Sequence, residues 1–83
     1  MKYRAKIEVS LKAGHSDPEG ETVARLLRDL GYAVEATNVS KVYTILLEAE
    51  TPSEAKVKAE DMCKRLLANP TKDNYIIAIE EPK

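Results

Sequence analysis

Apolar and polar residues alternate strictly over the first segment of the chain, residues 2–12. The apolar positions all point to one side, and the other side is polar or charged. A period of two residues over this length is typical of a β-strand that is buried on one face. The side that we expect to be buried comprises Tyr3, Ala5, Ile7, Val9 and Leu11.

A helical period follows this strand. Asp17 before Pro18 predicts the N-cap, because a proline at the first helical position lacks only an N–H that would be unpaired there. Ser16 with Glu19 forms an alternative capping box, which would move the start by one residue. Gly31 predicts the end, since glycine readily adopts a left-handed conformation. The apolar stripe at helical spacing is Val23, Leu26, Leu27 and Leu30.

The middle of the chain predicts either two strands or one. Residues 42–50 alternate with apolar side chains on both faces, and residues 33–37 form a weaker strand pattern. Residues 38–41 would then be a hairpin turn. Because no glycine marks that turn, the two strands could also be merged into one long bent strand. Residues 75–80 predict the final strand, which is also apolar on both faces.

A second helix lies between the middle and final strands. Thr51, Pro52 and Glu54 combine an N-cap, a proline at the first helical position and a capping-box glutamate. Asn69 is expected to end the helix in a left-handed conformation, and Pro70 cannot continue it. The apolar stripe of this helix comprises Ala55, Ala59, Met62, Cys63, Leu66 and Leu67.

These elements predict a single domain over residues 1–83. Their order is strand, helix, strand, strand, helix, strand, with the middle strands separate or merged. This order predicts the α+β class: a mainly antiparallel sheet with two helices on one face, as in ferredoxin-like folds.

Two strands carry apolar residues on the face that the helices would leave free. Such a patch usually marks a contact surface, although single exposed apolar residues are common and need no explanation. We predict self-association through this face, as a dimer or a tetramer. The candidate residues are Val42, Leu46, Ile76 and Ala78.

Charge and composition limit the classes of partner that the chain can bind. The chain has 13 basic and 14 acidic residues, interspersed, with a net charge of −1. This balance argues against nucleic acid, which needs a basic face. The strand over residues 42–50 has only one aromatic residue, and the polar face of the first strand has no aromatic side chain on which bases could stack. A single cysteine leaves no internal disulfide and favours a reducing compartment. The first residues resemble neither a signal peptide nor a membrane span, so we expect a cytoplasmic protein with no membrane partner.

No catalytic, cofactor-binding or metal-binding group is predicted. His15 is expected to be a solvated loop residue, and Cys63 a small core residue. One cysteine and one histidine cannot supply the four ligands of a zinc site, and no phosphate-binding glycine loop is present. A free-standing regulatory domain that binds a small effector remains an alternative. Its ligand, or a partner, would meet the first loop at Gly14, His15, Ser16, Asp17 and Gly20.

Several short motifs, in this order and spacing, resemble the PurS family over essentially the whole chain. One position departs from the expected pattern: Ser40 stands where a glycine would be expected between the middle strands. The motifs are Leu11-Lys12-Ala13-Gly14, Asp17-Pro18-Glu19-Gly20, Thr22-Val23, Leu30-Gly31-Tyr32, and Met62-Cys63 through Leu66-Leu67-Ala68-Asn69-Pro70 with Asn74-Tyr75.

PurS is the small subunit of phosphoribosylformylglycinamidine (FGAM) synthase in purine biosynthesis. The resemblance implies an accessory subunit of a glutamine-dependent, ATP-consuming C–N ligase. It implies a large synthetase subunit and a glutaminase subunit as partners, which this chain would bridge while supporting ammonia transfer. It also implies that ATP and magnesium bind to the large subunit and that this subunit binds no cofactor.

Overall fold

The computed structural model describes residues 1–82, which form one three-stranded sheet and two helices. The strands are antiparallel and lie in the order β2-β1-β3. The predicted α+β architecture is confirmed. The elements in chain order are β1 (Lys2–Leu11), α1 (Pro18–Asp29), β2 (Lys41–Glu48), α2 (Pro52–Met62) with a π-helical continuation (Cys63–Leu67), and β3 (Asp73–Glu80).

The core lies between the central strand β1 and helix α2, which packs on β1 and β3. The inner face of β1 is buried, as its alternation predicts. In the register of the sheet Ile7 lies between Tyr43 of β2 and Ile77 of β3. Small residues on α2 allow the helix to approach the sheet closely. The buried residues of this core include Tyr3, Ala5, Ile7, Val9, Ala55, Ala59 and Cys63.

Both predicted helix starts are confirmed. The Asp17 side chain accepts the N–H of Gly20, so Asp17 and not Ser16 is the N-cap of α1. The Thr51 hydroxyl accepts the N–H of Glu54 at the start of α2. Gly31 has φ +99°, which is the left-handed conformation expected after α1.

The predicted strand over residues 33–37 and the hairpin after it are wrong for the isolated chain. Residues 33–40 have no strand pairing within the described part of the molecule and lead directly into β2. Hydrogen bonds from a side chain of α1 hold this segment instead. The Arg28 guanidinium donates to the carbonyl oxygens of Val34 and Glu35, both at 2.8 Å.

The end of the second helix also differs from the prediction. Across residues 1–82 only glycines have a positive φ, so Asn69 is not left-handed. The last turn instead widens to a π-helix, in which the N–H of Ala68 donates to the carbonyl oxygen of Cys63 at 3.0 Å. The extra residue in this turn rotates Leu66 off the apolar stripe, and Leu66 is 82% exposed. The Asn69 side chain accepts the N–H of Thr71.

Helix α1 makes few contacts with the sheet. It lies along residues 33–39, and we call α1 together with residues 33–39 the arm. Gly20 and Ala24 are its buried helical residues. The molecule is 50 Å long with a radius of gyration of 16.2 Å, whereas a compact domain of this length has about 12 Å. The isolated chain is therefore extended.

Candidate functional site

The four residues of the predicted self-association surface lie together on the sheet face opposite α2, which we call the open face. Val42 is 60% exposed, Leu46 58% and Ile76 67%, and Ala78 is also exposed. Val42 and Leu46 belong to one edge strand, and Ile76 and Ala78 to the other. The structure thus places these residues on one surface, as two apolar strips.

The central strand β1 places charged residues between these strips. Register pairs Glu8 with both Val42 and Ile76, and Arg4 with Leu46 on one side. Lys6 lies between them and is exposed. The alternation of β1 already predicted a polar side. The sequence pattern did not indicate the strand order, and it is this order that places the charged stripe between the two apolar strips.

The candidate loop divides into a free part and a structural part. Gly14 has φ +87°, and His15 and Ser16 are exposed. An open cleft of about 440 Å³ lies beside them and reaches Ser40. Lys12 also lines this cleft, but its ammonium donates to the carbonyl oxygen of Pro70 at 2.8 Å. Through residue 82, no three histidine, cysteine or carboxylate side chains cluster as a metal ion would require.

Asp17 and Gly20 form the structural part. The Asp17 carboxylate accepts the N–H of Val39 and the N–H of Gly20. These hydrogen bonds, that of Val39 first, lower the pKa of Asp17 below the usual range of an aspartate. A Cβ at position 20 would clash with the carbonyl oxygen of Thr37. Both residues therefore hold the arm together, a role that the cap pattern alone did not indicate.

Cys63 is fully buried in the core beneath α2, as its place on the apolar stripe predicted. Burial raises the pKa of its thiol, and the nearby Glu60 carboxylate raises it further. Nucleophilic cysteines need the opposite environment, which is exposed and electropositive. His15, in the exposed loop, lies outside this core. Over residues 1–82 no helix combines the length and apolar character needed to cross a membrane.

Comparison with known proteins gives consistent results. The family described as "PurS: Phosphoribosylformylglycinamidine (FGAM) synthase" matches residues 4–81. The PurS subunit of Methanothermobacter thermautotrophicus is 37% identical over 81 residues, which cover 98% of this chain and 96% of that subunit.

Solved structures agree in fold. PurS of Thermus thermophilus superposes with a TM-score of 0.89 at 40% identity and covers all of both chains. A chain in the structure of PurLQS from Thermotoga maritima superposes with a TM-score of 0.87 at 29% identity, over 95% of this chain and 98% of that one. The protein therefore belongs to the PurS family, the subunits of phosphoribosylformylglycinamidine synthase in purine biosynthesis.

Proposed function

We propose that this chain is the non-catalytic small subunit of the synthase and that it joins the large synthetase subunit to the glutaminase subunit. The observation that carries the proposal is its likeness, over 95% of its length, to a chain of the T. maritima PurLQS structure. In this proposal the complex works in the cytoplasm as an ATP-consuming C–N ligase. ATP and magnesium bind to the large subunit, and this chain binds no cofactor.

The complex would convert formylglycinamide ribonucleotide, ATP and glutamine into formylglycinamidine ribonucleotide, ADP, phosphate and glutamate. The large subunit would phosphorylate the amide oxygen, and the glutaminase would release ammonia. A covalent nucleophile needs a neighbouring base or a lowered pKa. The Cys63 thiol is buried and its pKa is raised, which supports placing both reactions on the other subunits.

The physical need for a joining subunit lies in the chemistry of ammonia. In neutral water ammonia is mostly protonated, and ammonium is not a nucleophile. A closed junction between subunits keeps water out and so preserves the reactive form. Large apolar side chains on several surfaces of this chain are available to close such a junction, among them Leu30 at 74% and Leu66 at 82% exposure.

We further propose that the open face pairs with a second copy. Its two apolar strips supply the buried area. When two open faces stack with their β1 strands antiparallel about Lys6, each Arg4 lies over Glu8 of the other copy. Stacking then pairs Arg4 with Glu8 twice across the contact, whereas the two Lys6 side chains meet near the two-fold axis as like charges.

Reconstitution tests the role in the complex. We expect that omission of this chain from a mixture with the two other subunits strongly lowers glutamine-dependent turnover and lowers ammonia-dependent turnover less. The thermal midpoint of the large subunit, measured with and without the chain, serves as the control. Equal losses of both activities would show that the chain merely stabilises the large subunit.

Two further measurements separate this proposal from the regulatory alternative. The pure chain should show no ATP-dependent amidation, and any such activity would contradict a non-catalytic role. Purification from its own host should yield the synthetase and the glutaminase with it. A bound metabolite and no such subunits would instead favour a free-standing effector-binding domain.

A further inference from the structure

We propose that the outer edge of β3 binds an extended segment of another subunit of the synthase, which joins the sheet as an added strand. The segment turns apolar side chains toward α2 and places an acidic side chain beside two lysines where β3 begins. This inference rests on the proposed role of the chain in the complex, and it assigns one surface to that role.

The outer edge of β3 lacks the features that usually prevent a sheet edge from pairing. Within residues 1–82 its outer N–H and C=O groups have no strand partner. Proteins commonly protect such an edge with lysine, proline or a bulge. The strand Asp73–Glu80 contains no proline and no basic residue, carries acids only at its two ends, and pairs with β1 without a bulge. This edge can therefore accept a strand along its whole length.

Helix α2 lies beside this edge on one face of the sheet, because it packs mainly on β3 and β1. Tyr75, Ile77 and Ile79 pack against the core on that face, and they are only half-buried. An added strand would alternate as β3 does, with every second side chain on the helix side. Apolar side chains at those positions would cover the exposed parts of these three residues.

A cleft of about 340 Å³ lies where β3 begins, between this strand and the π-helical continuation of α2. The apolar part of its wall comprises Cys63, Ala68, Pro70 and Tyr75, and Lys12 and Lys64 also line it. Among residues 1–82 the one carboxylate that lines the cleft belongs to Asp73, which accepts the N–H of Asn69 at 2.9 Å. The cleft thus combines an apolar wall with an excess of positive charge.

The two lysines select the charge of the partner. The ammonium of Lys12 donates to the carbonyl oxygen of Pro70 at 2.8 Å, which holds it at the cleft. Lys64 is exposed and forms no ion pair within residues 1–82. A carboxylate on the incoming segment would complement this charge. An acidic peptide fits better than nucleic acid, because only a peptide can also pair with the backbone of β3.

This edge stays accessible when two copies stack through their open faces. The edge of a sheet points sideways, whereas the stacked layer lies above the face. The open face can therefore serve pairing with a second copy while the β3 edge serves contact with another subunit. A joining subunit needs such separate surfaces.

Calorimetric binding of the chain to each of the two other subunits tests the charge of the cleft. Lys64→Glu should weaken binding to the subunit that supplies the segment about tenfold or more. Lys56→Glu is the matched control, because it makes the same charge change at an exposed position of α2 outside the cleft. It should change the affinity by less than about threefold. Circular dichroism confirms folding, and equal losses for both variants would contradict the role of the cleft.

Hydrogen exchange tests the backbone pairing. The alternate amides of β3 that point away from β1 should exchange about tenfold more slowly in the complex than in the free chain. Slow exchange of these amides in the free chain that depends on its concentration would mean that a second copy occupies the edge, against the proposal. Binding without any slowing would overturn the added strand alone. Failure to bind either subunit would overturn the proposed role in the complex as well.

Discussion

Asp17 and Val39 are 22 residues apart in the sequence, and the carboxylate of the first accepts the N–H of the second at 2.8 Å. The other oxygen of the same carboxylate accepts the N–H of Gly20 at 2.9 Å. One side chain thus caps α1 and fixes the last residue of the arm beside it. Both hydrogen bonds favour the ionised form, which is why the pKa of Asp17 is lowered.

Asp17→Asn should destabilise the protein in a pH-dependent way. The amide NH₂ cannot accept from Val39, so one of the two hydrogen bonds is lost. Because the folded state lowers the pKa, the carboxylate contributes its full stability above about pH 4, the ordinary value of an aspartate, and loses it as the pH falls through the folded pKa. Urea midpoints of wild type and variant should therefore differ at pH 7 and converge in acid.

Glu19→Gln is the matched control, since Glu19 is an exposed acid in the same first turn. It should show only the small loss expected from the helix dipole. A Glu19→Gln variant as unstable as Asp17→Asn would mean that general electrostatics, and not the link to Val39, explains the effect.

Gly20→Ala should destabilise the protein although the position is helical. Helix propensity alone predicts a gain of about 1 kcal/mol for this change. The added Cβ would instead clash with the carbonyl oxygen of Thr37 and force the arm apart. The sign of the change in unfolding free energy decides between the two, and a more stable variant would contradict the close packing of the arm.

Two adjacent leucines should respond differently to truncation. Leu67 packs against the core, whereas Leu66 is turned outward by the π-helical turn. We expect Leu67→Ala to cost about 1–2 kcal/mol of unfolding free energy and Leu66→Ala to stay within about 0.5 kcal/mol. Chemical denaturation of the free subunit measures both. A larger loss for Leu66→Ala than for Leu67→Ala would indicate that the regular α-helix predicted from the sequence continues through these residues.

Cys63 should be unreactive toward thiol reagents in the folded protein. Burial blocks access and raises the pKa of the thiol, so little thiolate forms at pH 8. Labelling should become rapid in denaturing urea. Rapid labelling of the native protein would show that α2 opens readily from the sheet.

Leu46→Lys should lower the mass of the wild-type assembly in sedimentation equilibrium, because it places a charge in an apolar contact on the open face. Val57→Lys changes a somewhat more exposed apolar residue on α2 and should have no such effect. An unchanged mass for both variants would show that the open face does not mediate association.

Sequence patterns predicted the parts of the fold that depend only on residues close together in the chain. The caps at Asp17 and Thr51 and the buried side of β1 follow from single residues and their spacing. The open face was also predictable, because a strand places alternate residues on opposite sides. The outward turn of Leu66 was not, since helical spacing assumes 3.6 residues per turn and the π-helical turn departs from it.

Sequence patterns could not predict the position of the arm for a different reason. The alternation at residues 33–37 expresses a strand preference, but pairing depends on which edge lies nearby, and that is set by distant parts of the chain. Likewise the second role of Asp17 requires Val39 to be brought beside α1. Periodicity contains no information on either contact.

Within residues 1–82 the outer edge of β2 has no strand partner, and this affects how stable the subunit is in the cell. A chain that has not yet joined its complex presents unpaired backbone groups beside the exposed Leu46, and such edges recruit other unfolded chains. Surplus copies would therefore be prone to aggregate or to be removed by proteases. Balanced synthesis of this subunit and its partners would protect it, so its abundance should fall when they are depleted.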